Sequence, residues 1–401
     1  MVIAARRTPI GNAGGILQSF TADELAAPVL RAVLADVATS PGAPQDPLAE
    51  GRRAAAEARA AQARDADPVS GGVLSVDDVI LGNVFGPGGN TARVAALRAG
   101  LGHSVPGLTV DRQCASGLAA ITLACSMIRA GEGSVYLAGG TESASTAPHR
   151  AWRTDPPTPY TRAPFAPEEL GDPDMGPAAD LVAAEQGITR ERQDRFALRS
   201  HERAVAAQRA GRFAAEIVET GGADRDQRPR AGFTVERLAR FRPAFTPDGT
   251  ATAANSCPVS DGAAAVLVVD EETRRRLGVP GLRLVASATS GVDPNRLGLG
   301  AAPAMRAVLE HGTPAVTEFT EAFAGQALAC LDAAGIDEET VSPDGGAIAL
   351  GHPWGASGAV LVVRLFTRLV REGRGGRGEL GLTALSAGGG VGVAALWEAV
   401  G

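Results

Sequence analysis

The feature that most constrains the fold of this 401-residue chain is a pattern that occurs twice. CASGLAAITLACSMIRAG (114–131) is followed by VYLAGG, and GASGAVLVVRLFTRLVREG (355–373) is followed by LTALSAGGG. Each copy indicates a turn with Ala-Ser-Gly, a helix, a strand and consecutive glycines. Strands that alternate with helices predict mostly parallel sheets with helices packed on them. We therefore predict a duplicated α/β fold whose halves meet at a shared site.

Composition breaks predict the domain layout. The segment 39–72 is rich in Ala, Arg, Pro and Gly with little apolar periodicity, which indicates a surface insertion. A loop-rich region over about 141–245 interrupts the first half. We assign residues 1–270 to the N-terminal half, which contains both, and residues 271–401 to the C-terminal half.

Charge and cysteine content exclude several classes of protein. A net charge of −7 argues against nucleic acid or an anionic membrane as the main partner. We find no apolar run of membrane-spanning length and no signal peptide in the opening residues. The four cysteines form no CxxC pair and the five histidines show no ligand spacing, so we expect a reduced, cytoplasmic protein without a metal. All 38 basic residues are arginine, which excludes a Schiff-base lysine.

Three short motifs suggest a catalytic site. Cys114 comes directly before the helix of the first Ala-Ser-Gly motif. At a helix start the helix dipole lowers the pKa of a thiol and favours the thiolate. His352 lies just ahead of the second Ala-Ser-Gly turn and could take the proton of Cys114. The glycines of SAGGGVG (386–392) could direct backbone N–H groups at an oxyanion. Each motif also has a structural interpretation: a core cysteine, a histidine bonded to the backbone, and a tight turn.

Together the motifs resemble the thiolase family over nearly the whole chain. ARRTPIG, CASG, AGGTESAS, QDRFALRSHERA, RPAFTPDGT, SDGAAA, EAFAGQALA, GGAIALGHPWGASG and GGGVG occur in the family's order. The resemblance implies the thiolase fold, in which duplicated βαβαβαββ halves form an α-β-α-β-α core with an inserted loop domain. It also implies an acyltransferase that cleaves 3-ketoacyl-CoA with coenzyme A, or joins two acyl-CoA units by Claisen condensation.

The resemblance also implies roles for individual residues. Cys114 would carry the acyl group, His352 would activate it, and the N–H groups of Cys114 and Gly388 would form an oxyanion hole. Residues implied near the pantetheine of coenzyme A are Met175, Ala253, Asn255, Cys257, Phe323 and Trp354. Acyl-CoA would be the substrate, with no permanently bound cofactor, and the family's assemblies imply a homodimer or homotetramer.

Four positions depart from the family's pattern. Ser386 replaces the second catalytic cysteine, and Thr320 replaces the asparagine that holds a water. Trp354 replaces a modest aliphatic residue after His-Pro, and Cys257-Pro258 replaces a serine-glycine pair. Acylation of Cys114 is therefore expected, while carbon–carbon bond chemistry could be slow. Acyl transfer to another acceptor, hydrolysis of acyl-CoA, and a non-catalytic subunit that binds acyl-CoA or an active partner remain alternatives.

Overall fold

The computed structural model describes residues 1–38, 74–374, 376 and 378–401. The predicted surface insertion at 39–72 lies outside the described residues. The strands are β1 (Val2–Arg7), β2 (Gly11–Asn12), β3 (Asp78–Gly82), β4 (Leu108–Val110), β5 (Val135–Glu142), β6 (Arg150–Trp152), β7 (Thr158–Tyr160), β8 (Ser260–Val269), β9 (Gly281–Gly291), β10 (Val316–Phe319), β11 (Leu380–Ala387) and β12 (Val391–Val400). The α-helices are α1 (Ala22–Ala38), α2 (Thr91–Arg98), α3 (Ser116–Ala130), α4 (Met175–Glu185), α5 (Arg190–Arg209), α6 (Val235–Leu238), α7 (Glu271–Leu277), α8 (Ala301–Leu309), α9 (Ala324–Ala334), α10 (Ala347–Leu350) and α11 (Trp354–Phe366).

Nine strands follow one another across the main sheet of the described residues in the order β10-β11-β12-β9-β1-β8-β5-β3-β4, and β2 pairs with β8. The pairs β3–β4, β3–β5 and β10–β11 are parallel, whereas β5–β8, β8–β1, β1–β9, β9–β12 and β12–β11 are antiparallel. The expectation of mostly parallel sheets is therefore wrong. The glycine turn at 388–390 folds β11 back onto β12 as a hairpin, and hairpins give antiparallel neighbours.

Three hydrophobic clusters form a layered core between the sheet and the helices. The central cluster lies where α3 and α11 pack against each other and against β5 and β8. The outer clusters lie under α1 in the first half and under α8 and α9 in the second. Strands β5 and β8 are buried along their whole lengths because helices cover both faces, which explains their continuous apolar and small residues. The result confirms the predicted α/β class.

The loop-rich region contains the β6–β7 hairpin and helices α4, α5 and α6. Thr189 caps α5, since its side chain accepts a hydrogen bond from the Arg192 N–H. One apolar stretch in the core, Gln113–Ala130, is long enough to span a membrane by length and composition alone. The expectation that no run reaches that length is therefore wrong for this stretch, which includes α3 and is 56% buried inside the structure.

Candidate active site

The two Ala-Ser-Gly motifs meet where helices α3 and α11 cross. A Cβ placed on Gly117 of α3 would lie 2.7 Å from the Gly355 carbonyl oxygen, and one placed on Gly358 of α11 would lie 2.5 Å from the Leu118 nitrogen. Only glycine permits so close an approach of two backbones. The repeated motif therefore explains how the first turns of the two helices, which follow Cys114 and His352 in the chain, come to lie against each other.

Cys114 lies in a tight turn between β4 and α3. The preceding residue, Gln113, has a positive φ of 50°, which turns the chain sharply into the helix. The Cys114 side chain is almost completely buried, and burial raises the pKa of its thiol to about 12, despite hydrogen bonds from the backbone N–H groups of Cys114 and Gly388. The expectation that the helix dipole lowers this pKa is wrong, because loss of hydration outweighs it. Cys114 is therefore a thiol at neutral pH.

The glycine turn of the second half closes over Cys114. The Gly388 N–H points at the Cys114 sulfur, so these two residues lie together as predicted. A Cβ on Gly388 would lie 2.8 Å from the Phe165 ring, and Gly389 and Gly390 have φ of 78° and 77°. Backbone N–H groups of this kind are the donors that oxyanion holes use, and here two of them lie at the Cys114 sulfur.

His352 is held by hydrogen bonds at its backbone and its ring. Its backbone N–H donates to the Ser260 hydroxyl at 3.1 Å, and its Nδ1 lies 2.7 Å from the Ser357 oxygen. Burial lowers the pKa of His352 to about 4, so its imidazole is neutral. In the tautomer whose Nδ1–H donates to Ser357, Nε2 is the nitrogen with a free lone pair. Ser357 was missed by sequence reasoning, although it belongs to the second Ala-Ser-Gly motif.

Cys114 opens into a cavity of about 700 Å³ between the core and the loop-rich region. Four other predicted site residues line this cavity with it: Met175, Phe323, Trp354 and Gly388. Sequence reasoning missed the aromatic residues that complete the wall, which are Phe85, Phe165 and Phe245. A mostly apolar cavity with a few polar groups in its lining is typical of a small-molecule site.

Trp354 forms one wall by stacking on Phe85, with ring centroids 4.1 Å apart. Behind this pair, the buried carboxylate of Glu142 accepts hydrogen bonds from the backbone N–H groups of Val84, Phe85 and Gly355. Burial raises the pKa of Glu142 to about 7, although these hydrogen bonds oppose the rise. Glu142 therefore positions the aromatic wall, a role that its place in AGGTES did not indicate.

Ser386 does not line the cavity of Cys114. Its hydroxyl donates to the Gly298 carbonyl at 2.8 Å and accepts the Ala301 N–H at 3.0 Å, with the Cys330 sulfur at 3.6 Å. It lines a small neighbouring cavity that shares Met175 and Phe323 with the larger one. The hydroxyl is thus committed to the backbone at the start of α8.

Thr320 also lies outside the cavity of Cys114. Its side chain is buried, and its Oγ1 has no hydrogen-bond partner within the described chain. It lines a separate small cavity that also reaches Ser357, the partner of His352. Thr320 is therefore connected to the site from behind His352.

In the segment 253–257, which is predicted to lie near pantetheine, Ala253 and Asn255 form hydrogen bonds to other parts of the protein. Buried Asn255 donates to Asp194 at 3.0 Å, and its carbonyl accepts the Ala324 N–H at 2.9 Å. The Ala253 carbonyl accepts a 3.3 Å hydrogen bond from Arg228. Cys257 is half-buried, and burial raises the pKa of its thiol to about 12, with a smaller contribution from Cys114. Neither Ala253, Asn255 nor Cys257 lines the cavity of Cys114.

The described residues contain no group of three or more His, Cys, Asp or Glu side chains placed to hold a metal ion.

Comparison with known proteins agrees with this geometry. The family model described as "Thiolase, N-terminal domain" matches residues 56–272, and "Thiolase, C-terminal domain" matches residues 280–399. A Bacillus subtilis protein named "Putative acetyl-CoA C-acetyltransferase YhfS" is 40% identical over 408 residues, covering 99% of this chain and 98% of the relative. A Staphylococcus aureus protein named "Putative acetyl-CoA C-acetyltransferase VraB" is 41% identical over 341 residues, covering 81% and 88%. The crystal structure of a Bacillus anthracis acetyl-CoA acetyltransferase superposes with a TM-score of 0.82 at 34% identity, covering 100% of this chain and 98% of the other.

Proposed function

Because the chain belongs to the thiolase family and is an acyltransferase, we propose that it transfers acyl groups from coenzyme A through a thioester on Cys114. The observation that supports this most directly is the position of the Cys114 sulfur. Cys114 lines the 700 Å³ cavity, and the N–H groups of Cys114 and Gly388 donate to its sulfur. A thioester carbonyl attacked by this sulfur would develop its negative charge beside those donors.

His352 takes the thiol proton in this proposal. With Cys114 protonated at rest, attack on a thioester needs a base, and neutral His352 has a free Nε2 lone pair when Nδ1 carries the hydrogen donated to Ser357. The leaving coenzyme A thiolate then takes a proton. The acylated enzyme would react with a second acyl-CoA in Claisen condensation. In the cleavage direction it would form when the Cys114 sulfur attacks the keto carbon of a 3-ketoacyl-CoA and the C2–C3 bond breaks. The leaving carbon would take a proton and depart as acetyl-CoA, and coenzyme A would then take the acyl group from Cys114.

Acylation can be tested by intact mass spectrometry after incubation with acetyl-CoA. We expect one acetyl group on the native protein, located on the peptide containing Cys114, and none on Cys114→Ser. Cys125→Ser is the matched control, because Cys125 is also a buried cysteine of the α3 region but does not line the cavity. Acetylation that persists in Cys114→Ser would contradict the proposal.

A second candidate function is transfer of the acyl group to water or to another acceptor. It is favoured by the Ser386 hydroxyl, which is bonded to Gly298 and Ala301 instead of facing the acyl site. Product analysis with acetyl-CoA separates the candidates: acetoacetyl-CoA supports condensation, whereas acetate with free coenzyme A supports hydrolysis.

We further propose that the protein works in the cytoplasm as a homodimer or homotetramer, without a permanently bound cofactor. Fractionation, mass measurement in solution and analysis of the purified protein for bound groups test these points.

A further inference from the structure

A second, much smaller cavity lies on the far side of the His352–Ser357 pair. Its volume is about 20 Å³, and its lining includes Glu318, Thr320, Ser357 and Arg364. All four side chains are at least 96% buried. Three of their polar atoms have no hydrogen-bond partner within the described chain: Glu318 Oε1, Thr320 Oγ1 and Arg364 Nε.

Three unpartnered polar groups around one small cavity indicate an ordered water. A buried water needs a cavity of about 10–15 Å³ and two to four polar partners, so this cavity has room for one. Buried polar groups left unpaired would otherwise destabilise the folded protein. The guanidinium of Arg364 is anchored at its other nitrogens by Glu216 and Asp344, so its Nε–H is the donor that stays available.

Building on the proposed function, we propose that this water joins Ser357 to Glu318 and that the resulting chain takes the Cys114 proton onward from His352. Glu318 would act only through Ser357 and His352, as a positioning residue and proton acceptor that does not touch the substrate. Glu318 would accept the proton that His352 takes from Cys114, because the buried imidazole of His352 has a low affinity for a second proton.

The proton transfers balance along the chain. As the Cys114 sulfur bonds to the thioester carbonyl carbon, its S–H proton passes to His352 Nε2. The Nδ1 proton passes to Ser357, the Ser357 proton to the water, and a water proton to the Glu318 carboxylate. When the carbon–sulfur bond to coenzyme A breaks, the same chain runs in reverse and returns one proton to the leaving thiolate.

The electrostatic surroundings agree with this arrangement. Burial raises the pKa of Glu318 to about 8, and Arg364 opposes the rise. The other charged groups that act on it are Asp344, Arg368 and Glu216. Glu318 accepts a proton only when it is ionised, so acylation should become faster as the pH rises through about 8.

The test measures the rate of Cys114 acetylation by rapid quench and intact mass spectrometry between pH 6 and pH 10. We expect the native rate to rise with an inflection near pH 8. In Glu318→Gln the inflection should vanish, with a rate at least ~10-fold lower at high pH. Ser357→Ala should lose the same inflection, because it breaks the chain one step nearer to His352. Glu318→Asp, which keeps a carboxyl group, should keep an inflection.

Glu310→Gln is the matched control, because it removes an exposed carboxylate far from the cavity lining and should leave the profile unchanged. Unfolding midpoints of all variants separate loss of the relay from loss of the fold. Normal acetylation with an unchanged inflection in Glu318→Gln would overturn the relay while leaving the proposed function in place. No acetylation of the native protein at any pH would overturn both.

Discussion

The crossing of α3 and α11 predicts the effect of a single methyl group at Gly358. A Cβ there would lie 2.5 Å from the Leu118 backbone nitrogen, whereas real Cβ contacts begin between about 3.0 and 3.4 Å. The obstructing atom belongs to a helix backbone and cannot rotate away, so the two helices must separate by roughly 0.5–0.9 Å. Overpacking of this kind costs about 1–3 kcal/mol in the free energy of unfolding.

The same displacement moves Cys114 relative to His352, since each lies just before one of the two helices. A misplacement of about 1 Å can reduce a rate 10²-fold, so we expect Gly358→Ala to slow acetylation at least ~10-fold. Denaturant unfolding and rapid-quench acetylation measure the two effects on one sample. Gly376→Ala is the control, because its Cβ would meet no atom within 4 Å. A Gly358→Ala protein with native stability and a native acetylation rate would refute the reasoning.

Three further predictions concern the acyl site and the core. Ser386→Cys should raise the rate of thiolysis of a 3-ketoacyl-CoA at least ~10-fold with little effect on acetylation, because a thiol carries protons far better than a serine hydroxyl. Equal thiolysis rates in the native protein and the variant would show that Ser386 does not limit the reaction. Trp354→Ile should raise kcat/KM for bulkier acyl-CoAs across a chain-length panel, and an unchanged profile would show that the indole does not limit the site. Arg7→Met should lower the free energy of unfolding by about 3–5 kcal/mol, because it leaves buried Glu216 and Asp226 without this partner. Burial raises the pKa of Glu216, but Arg364 and Arg7 outweigh burial and hold that pKa below its ordinary 4.5. The stabilisation is therefore fully present above pH 4.5 and is lost as the pH falls through the lowered pKa. The free energies of unfolding measured in urea at pH 7 and pH 4 should differ less for Arg7→Met than for the native protein.

The sequence predicted the α/β class, because it depends on the order of motifs along the chain, and it also predicted that Cys114 and Gly388 lie together. The prediction of mostly parallel strands was wrong. The sequence shows a glycine turn between two strands, but it does not show that β1 and β9 pair antiparallel with their neighbours. It also failed on the pKa of Cys114, because a helix start is a local feature while desolvation depends on every element that covers the thiol.

The residues that support the site were the hardest to predict. Glu142 and Ser357 are ordinary residues in recognisable motifs. The role of Glu142 comes from backbone groups far away in the chain, since it bonds to Val84 and to Gly355, 213 residues later. The role of Ser357 comes from its contact with the His352 ring, which the motif alone does not reveal. Glu318 was missed for the same reason. The chemistry of the nucleophile can be inferred from neighbouring residues, whereas the environment that tunes it is assembled only by the fold. The domain boundary at residue 270 and the roles of Ser386 and Thr320 stay predictions.

The Gly355 position determines how many acyl groups one chain can hold. In the two aligned motifs, Gly355 is the counterpart of Cys114, so a symmetric duplication would place a second thiol there. A Cβ at Gly355 would lie 2.9 Å from the Asn83 Cα and 3.0 Å from Glu142 Oε2, which leaves no space for a side chain. The symmetry of the two motifs is therefore broken at this position: the first motif carries a cysteine, whereas the second has no space for one. Under the proposed mechanism, each chain turns over one thioester at a time.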